Sequence, residues 1–318
     1  MTIALRALVG AVLALSLAAC GSAAKPEWQS GSTPAVAGSG SASPSTAPNP
    51  SPSVTKPSAT PPAPSLITPA RLTAARKLIA AKSGVLGIIV YDRETRDEFR
   101  EGTTTHLTWT ASTIKLAIVT ELLEKQRAGS IHLSSKDRSD IADILNWSSD
   151  DAATELWHKY GDDALVPRMT STYGMKTLTF IDGFKRFWGH MKCTPEDLMH
   201  LIKYVMTKLN SADRAFIVNA MQHVGSIQRW GVWAAGTDLH PGTKDGWSIE
   251  PDNGSKHWVT NAVGFAGPNQ RYLVALMYEL PPDLEIGDGV HAVSDLVATV
   301  FGAKVPATVT VPDPSTGL

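Results

Sequence analysis

The chain has 318 residues, 43% of them apolar, with 29 Lys and Arg set against 30 Asp and Glu for a formal net charge of −1. That length and apolar share are enough for one fully cored domain of roughly 240 residues. The near-neutral balance, without any Lys/Arg run, excludes nucleic acid and anionic membrane surfaces as electrostatic partners.

The chain opens on a targeting device. Arg6 supplies a positive n-region, Ala7 to Leu17 a short apolar run, and Leu17-Ala18-Ala19-Cys20-Gly21 matches the bacterial lipobox. The run falls short of the ~20 residues a membrane span needs, so it reads as a cleaved signal over 1–19. Cys20 is then the lipidation site, carrying acyl chains such as palmitate, and the expected location is the extracytoplasmic face of the cell membrane. With Cys20 acylated, Cys193 has no partner and no disulfide framework exists. Residues 20–66 are dominated by Ser, Pro, Ala, Thr and Gly, with Trp28 the sole aromatic. Such a stretch cannot bury enough apolar surface to offset chain entropy, which predicts a disordered tether.

A folded domain is predicted over 67–303. Thr68 as N-cap before Pro69 starts a helix carrying Leu72, Ala75, Leu78 and Ile79 at helical spacing. Val85 to Tyr91 reads as a buried strand, and the charged Glu94-Thr95-Arg96 as a hairpin turn. Leu116 to Gln126 is helical and closes at Gly129. Most of 137–209 has a helical pattern, including 149–159 and 195–209. His257–Phe265 and Arg271–Tyr278 read as strands turned at Gly267-Pro268, and His291–Phe301 as a last helix. The class predicted is α+β: an antiparallel sheet from both chain ends, flanked by N- and C-terminal helices, with an inserted all-helical subdomain. Residues 304–318 are expected to be a flexible tail.

Three short motifs carry candidate chemistry. In Ser112-Thr113-Ile114-Lys115 a serine and a lysine three apart share a helix face, so the amine can reach the hydroxyl, and the helix N-terminus favours a developing oxyanion. Ser22-Ala23-Ala24-Lys25 and Ser53-Val54-Thr55-Lys56 have the same letters but lie in the tether, whereas Ser112 stands between a strand-like stretch and an apolar helix. Ser149-Asp150-Asp151-Ala152-Ala153 follows; by itself it also fits an acidic helix start. Lys244-Asp245-Gly246-Trp247 is the third, ahead of the paired strands.

Together, in this order, these motifs resemble the Ser-x-x-Lys, Ser-Asp-Asn and Lys-Thr-Gly elements of the serine β-lactamase and penicillin-binding-protein superfamily, over residues 67 to 303. The resemblance implies that Ser112 is acylated and that Lys115 is its base or orients it. It further implies that Ser149 passes a proton to the leaving nitrogen and that Lys244 tunes that hydroxyl. The backbone N–H groups of Ser112 and Trp247, the latter following Gly246, would form the oxyanion hole. No metal or cofactor is implied, and the chain is expected to act as a monomer.

This sequence departs from the superfamily pattern in ways that bear on activity. Asp151 stands where an asparagine contacts substrate, and Asp245 where a hydroxyl residue holds the β-lactam carboxylate, so both are expected at the cleft rim as a barrier to anionic β-lactams. Only about 37 residues separate Ser112 from Ser149. No Glu-x-x-Leu-Asn segment lies between Ser149 and Thr194, which removes the glutamate that activates water in class A β-lactamases; Asp182 is the only carboxylate in 180–193 and reads as a turn residue before Gly183. His190 and Cys193, three apart, do not make a zinc site by themselves. The tryptophans at 230, 233, 247 and 258 read as core, with a sugar-stacking platform as the alternative. The function these residues imply is a cell-wall serine hydrolase of the DD-peptidase or penicillin-interacting type, acting on a peptidoglycan-like peptide or a β-lactam-like small molecule. A silent domain that binds peptidoglycan or a protein is the alternative, and a true β-lactamase a third.

Overall fold

The computed structural model describes residues 64–251 and 254–313. Cys20, the signal segment and nearly all of the tether lie outside the described residues.

Helix α1 (Pro69–Ala80) starts as the sequence predicts, with the Thr68 hydroxyl accepting the Arg71 N–H and proline in the first turn. It leads into the hairpin of β1 (Val85–Asp92) and β2 (Glu98–Gly102), whose turn places Arg96 at φ 68°. Strand β3 (Thr108–Trp109) and a tight 3₁₀ turn over Ala111–Ile114 run into α2 (Lys115–Arg127). The helical region continues with α3 (Ser135–Trp147), α4 (Asp150–Tyr160) and α5 (Val166–Ser171). Short strands β4 (Thr179–Phe180) and β5 (Met191–Cys193) precede α6 (Pro195–Thr207) and α7 (Ser211–Gln222). The chain then returns through β6 (Gly242–Glu250), β7 (His257–Ala266) and β8 (Tyr272–Glu279) to α8 (Ile286–Phe301).

The main sheet is antiparallel in the order β2-β1-β8-β7-β6, so the first hairpin pairs with the last strands and the helical region is an insertion between them. Both faces of its central strands are covered, which is why they read as unbroken apolar runs. Side chains alternate: Ile89, Val263, Phe265, Leu273, Ala275 and Met277 pack toward the inserted helices, while Ile88, Val90, Ala262, Val274, Leu276 and Tyr278 pack with Ala75 of α1 and the apolar stripe of α8. Each large aliphatic side chain buried this way contributes ~1.5–3 kcal/mol of transfer free energy. The α+β class and its flanking helices are therefore as predicted.

Three features differ from expectation. Strands β4 and β5, within a span expected to be mainly helical, join β3 in a second small sheet; at two or three residues each they are too short to display a period. Helix α8 begins at Ile286, five residues earlier than expected. Finally, residues 304–313 do not behave as a free tail. The Ala307 N–H donates to Asp295 at 2.7 Å, Ala307 is buried, and Val309 packs on the α8 side of the core.

Candidate active site

Ser112 stands at a strained corner. Ala111 before it has φ 43°, a left-handed value that costs a residue with a Cβ ~1–3 kcal/mol and persists only where neighbours enforce it. Two contacts do so. The Asn261 amide on β7 donates to the Trp109 carbonyl at 2.8 Å, and the Thr113 hydroxyl donates to the Thr110 carbonyl at 2.6 Å. Gly246 on β6 completes the corner, because a Cβ there would stand 2.7 Å from the Ser112 nitrogen. Only glycine allows so close an approach. Ser112 itself is half-buried.

Strand β6 is an edge strand. Its Asp245 N–H meets Gln228 Oε1 at 3.2 Å and its carbonyl accepts from Lys244 Nζ at 2.8 Å, so this residue's backbone groups point outward, away from β7. By the two-residue period of a strand the Trp247 N–H points the same way, toward the Ser112 corner.

Behind Ser112 lie two buried lysines. Lys115 Nζ donates to the Ser148 carbonyl at 2.6 Å and forms an ion pair with Asp150. It also lies 4.6 Å from the Trp188 ring centroid. Lys244 Nζ donates to Ser148 Oγ at 2.8 Å, to Gln228 Oε1 at 2.6 Å and to the Asp245 carbonyl. Burial lowers the Lys115 pKa to about 8, against the raising effect of Asp150. Burial, then repulsion from Lys115, holds Lys244 well below the ordinary lysine range.

The hydroxyl between the lysines belongs to Ser148, and the sequence assignment to Ser149 is corrected by one residue. The reason lies in the break between α3 and α4. Ser148 ends α3 in the left-handed region at φ 61°, turning its side chain inward, where Lys115 Nζ also approaches Ser148 Oγ at 3.5 Å. Ser149 caps α4 instead, its Oγ accepting the Ala152 N–H at 3.2 Å. Two acidic residues in the first turn after a serine are an N-cap signature, and that signal already distinguished the two serines. The same shift brings Asp150, rather than Asp151, to Lys115. Gln228, Asn261 and Trp188 escaped the sequence reading because nothing local marks a lone buried amide or indole as part of a site.

Asp245 is also corrected. It lies on the far face of β6 from Ser112, fully buried, with its carboxyl accepting from Thr243 and facing Gly231; its Oδ2 has no partner. Burial pushes its pKa well above the usual carboxylate range. Strand alternation puts Lys244 and Gly246 on the Ser112 face and Asp245 on the other, so Asp245 is not at the cleft rim.

In front of Ser112 opens a cleft of about 400 Å³, with Asp150, Asp151 and Thr154 of α4 on one side and Trp247, Ser248 and Glu250 of β6 on another. Trp109, Phe184, Phe187 and Trp188 give it an aromatic wall. Asp182 is exposed and lines no part of it. Trp230, Trp247 and Trp258 belong to the α8-side core, as expected. Among the described residues no group of three or more His, Cys, Asp and Glu could hold a metal; Cys193 is a free buried thiol whose pKa burial raises.

No family model matches the chain. It is 30% identical over 218 residues to "Putative lipoprotein LppW" of Mycobacterium tuberculosis strain H37Rv, and equally to that of Mycobacterium bovis, an alignment covering 64% of this chain and 66% of the relative. Among the described residues no helix is long and apolar enough to cross a membrane. The extended-spectrum β-lactamase TLA-3 superposes with a TM-score of 0.61 at 16% identity, covering 73% of this chain and 98% of the enzyme. A β-lactamase from Burkholderia vietnamiensis gives 0.60 at 17%, covering 74% and 96%. The described domain thus has the fold of the class A serine β-lactamases, in a chain similar in sequence to the mycobacterial protein LppW.

Proposed function

We propose that the chain is a membrane-anchored, acyl-enzyme-forming serine hydrolase of the penicillin-interacting type. A single observation carries this reading: the Ser148 hydroxyl bridges two buried lysines directly behind a serine at a strained corner. Ser112 Oγ attacks the carbonyl of a peptide or lactam and its proton passes to the neutral form of Lys115. The oxyanion is received by the Ser112 and Trp247 N–H groups. Ser148 then hands a proton to the departing nitrogen and is resupplied from the lysine pair. Hydrolysis of the acyl-enzyme is slow in this reading, because the sequence has no Glu-x-x-Leu-Asn segment between Ser149 and Thr194 to supply the glutamate that activates water in class A β-lactamases. The anchor is the lipid on Cys20, and the natural donor is a peptide of the cell wall.

Intact-mass analysis after a fluorophosphonate or a penicillin tests the proposal. Single addition at Ser112, abolished in Ser112→Ala and persisting for hours with penicillin, is expected. No addition by either reagent overturns it in favour of a silent binding domain, the reading that the Asp150–Lys115 ion pair favours by engaging the amine with a carboxylate. Rapid turnover of penicillin, roughly 1–10³ per second, would instead mean a true β-lactamase.

A further inference from the structure

We propose that the Ser112 cleft takes acyl donors carrying a cationic group, received between Asp151 and the aromatic wall, and disfavours donors carrying a carboxylate. The inference deepens the reading above and rests on it.

The charges on the cleft lining are one-sided, with Lys192 Nζ outside it at 5.7 Å from the ring centroid of the lining residue Trp109. Its lining carries the carboxylates of Asp150, Asp151 and Glu250, and no lysine or arginine among the described residues. The two lysines of the site lie behind Ser112, fully buried, each already hydrogen-bonded to protein oxygens. Asp150 forms an ion pair with Lys115, whereas Asp151, in the same turn of α4, is exposed and enters no ion pair among the described residues. Asp151 is therefore the carboxylate free to meet a ligand.

The opposite wall suits the same ligand. Phe184 is 43% exposed and stands edge-on to Trp109 at 5.6 Å, with Phe187 and Trp188 beside it. Ring faces attract a cation, as the approach of Lys115 to Trp188 already illustrates. A polar anchor is present as well. Ser248 shares the Ser112 face of β6 with Lys244 and Gly246, lines the cleft, and has a buried Oγ without a partner, suited to a donor's amide. A carboxylate-bearing donor gains none of these contacts and is repelled by Asp151. All three probes are compared at one and the same pH.

The test uses the full chain and three aryl phosphonofluoridates identical in reactive group, bearing a trimethylammonium, a tert-butyl or a carboxylate substituent. Labelling of Ser112 by the cationic probe should outpace the carboxylate probe about tenfold or more at low salt, with the neutral isostere between them, and the ratio should shrink as salt screens the charges. Asp151→Asn should bring the cationic and neutral probes together. Equal rates for all three probes, a faster carboxylate probe, or a ratio untouched by Asp151→Asn overturns the inference while leaving the serine hydrolase intact. Labelling by none of the probes overturns the hydrolase reading itself.

Discussion

At Ser148 and Ser149 two neighbouring hydroxyls do different work, one between the lysines and the other at a helix N-terminus. In the proposed mechanism Ser148→Ala removes the proton path and should slow acylation of Ser112 by ~10²–10⁴, with little change in stability. Ser149→Ala should cost ~0.5–2 kcal/mol through loss of the cap and leave labelling of the folded protein nearly unchanged. Labelling rates and urea denaturation of the pair check both arms. The pH profile belongs to this scale too. As the proposed base, Lys115 would act only when neutral, and its pKa is lowered to about 8. Acylation should therefore rise with pH and level off above about 8. Asp150 raises that pKa by its charge and hydrogen bond, so Asp150→Asn should move the rising limb to lower pH and speed acylation at pH 7. A limb that stays in place would show that another group is titrating.

Strand β6 carries both faces of the site's electrostatics, with Lys244 turned to Ser148 and Asp245 turned to the α8-side core. A carboxyl whose folded pKa lies above its unfolded value keeps its proton in the fold where the unfolded chain has lost it. For Asp245 the window starts near the ordinary aspartate value of 3.8 and extends upward. Across it, stability falls as pH rises, by up to ~1.4 kcal/mol per unit. Asp245→Asn cannot ionise and retains an acceptor for Thr243, so its stability should fall less between pH 4 and pH 7 than that of the wild type. Urea denaturation at both pH values reads the difference, and parallel pH dependence in the two proteins would count against a neutral Asp245. Neighbouring Gly246 cannot be varied in the same way, because a Cβ would be driven against the Ser112 backbone.

For the molecule as a whole, the proposed anchor rests on the Leu17-Ala18-Ala19-Cys20 sequence. Cys20→Ala should abolish lipid attachment and yield unprocessed precursor or a released form. Metabolic labelling with a palmitate analogue and membrane fractionation measure this; a mature-length variant still wholly in the membrane would contradict it. The two ends of the domain meet across the main sheet, since β1 pairs with β8 and α1 packs beside α8.

Local order carried much of this. The cap at Thr68, the apolar runs of β1, β7 and β8 and the turn at Gly267-Pro268 are each set by neighbours in the chain, and they led to the α+β class. The order of Ser112, Lys115, Lys244 and Gly246 was legible because a motif is local as well. Tertiary structure decided what depends on the direction of a side chain. Whether Ser148 or Ser149 meets the lysines depends on which residue takes the left-handed turn between α3 and α4. Whether Asp245 faces the cleft depends on strand parity, which is fixed only when β6 registers against β7. Gln228, Asn261 and Trp188 join the site from separate segments, and only packing brings such distant residues to one place.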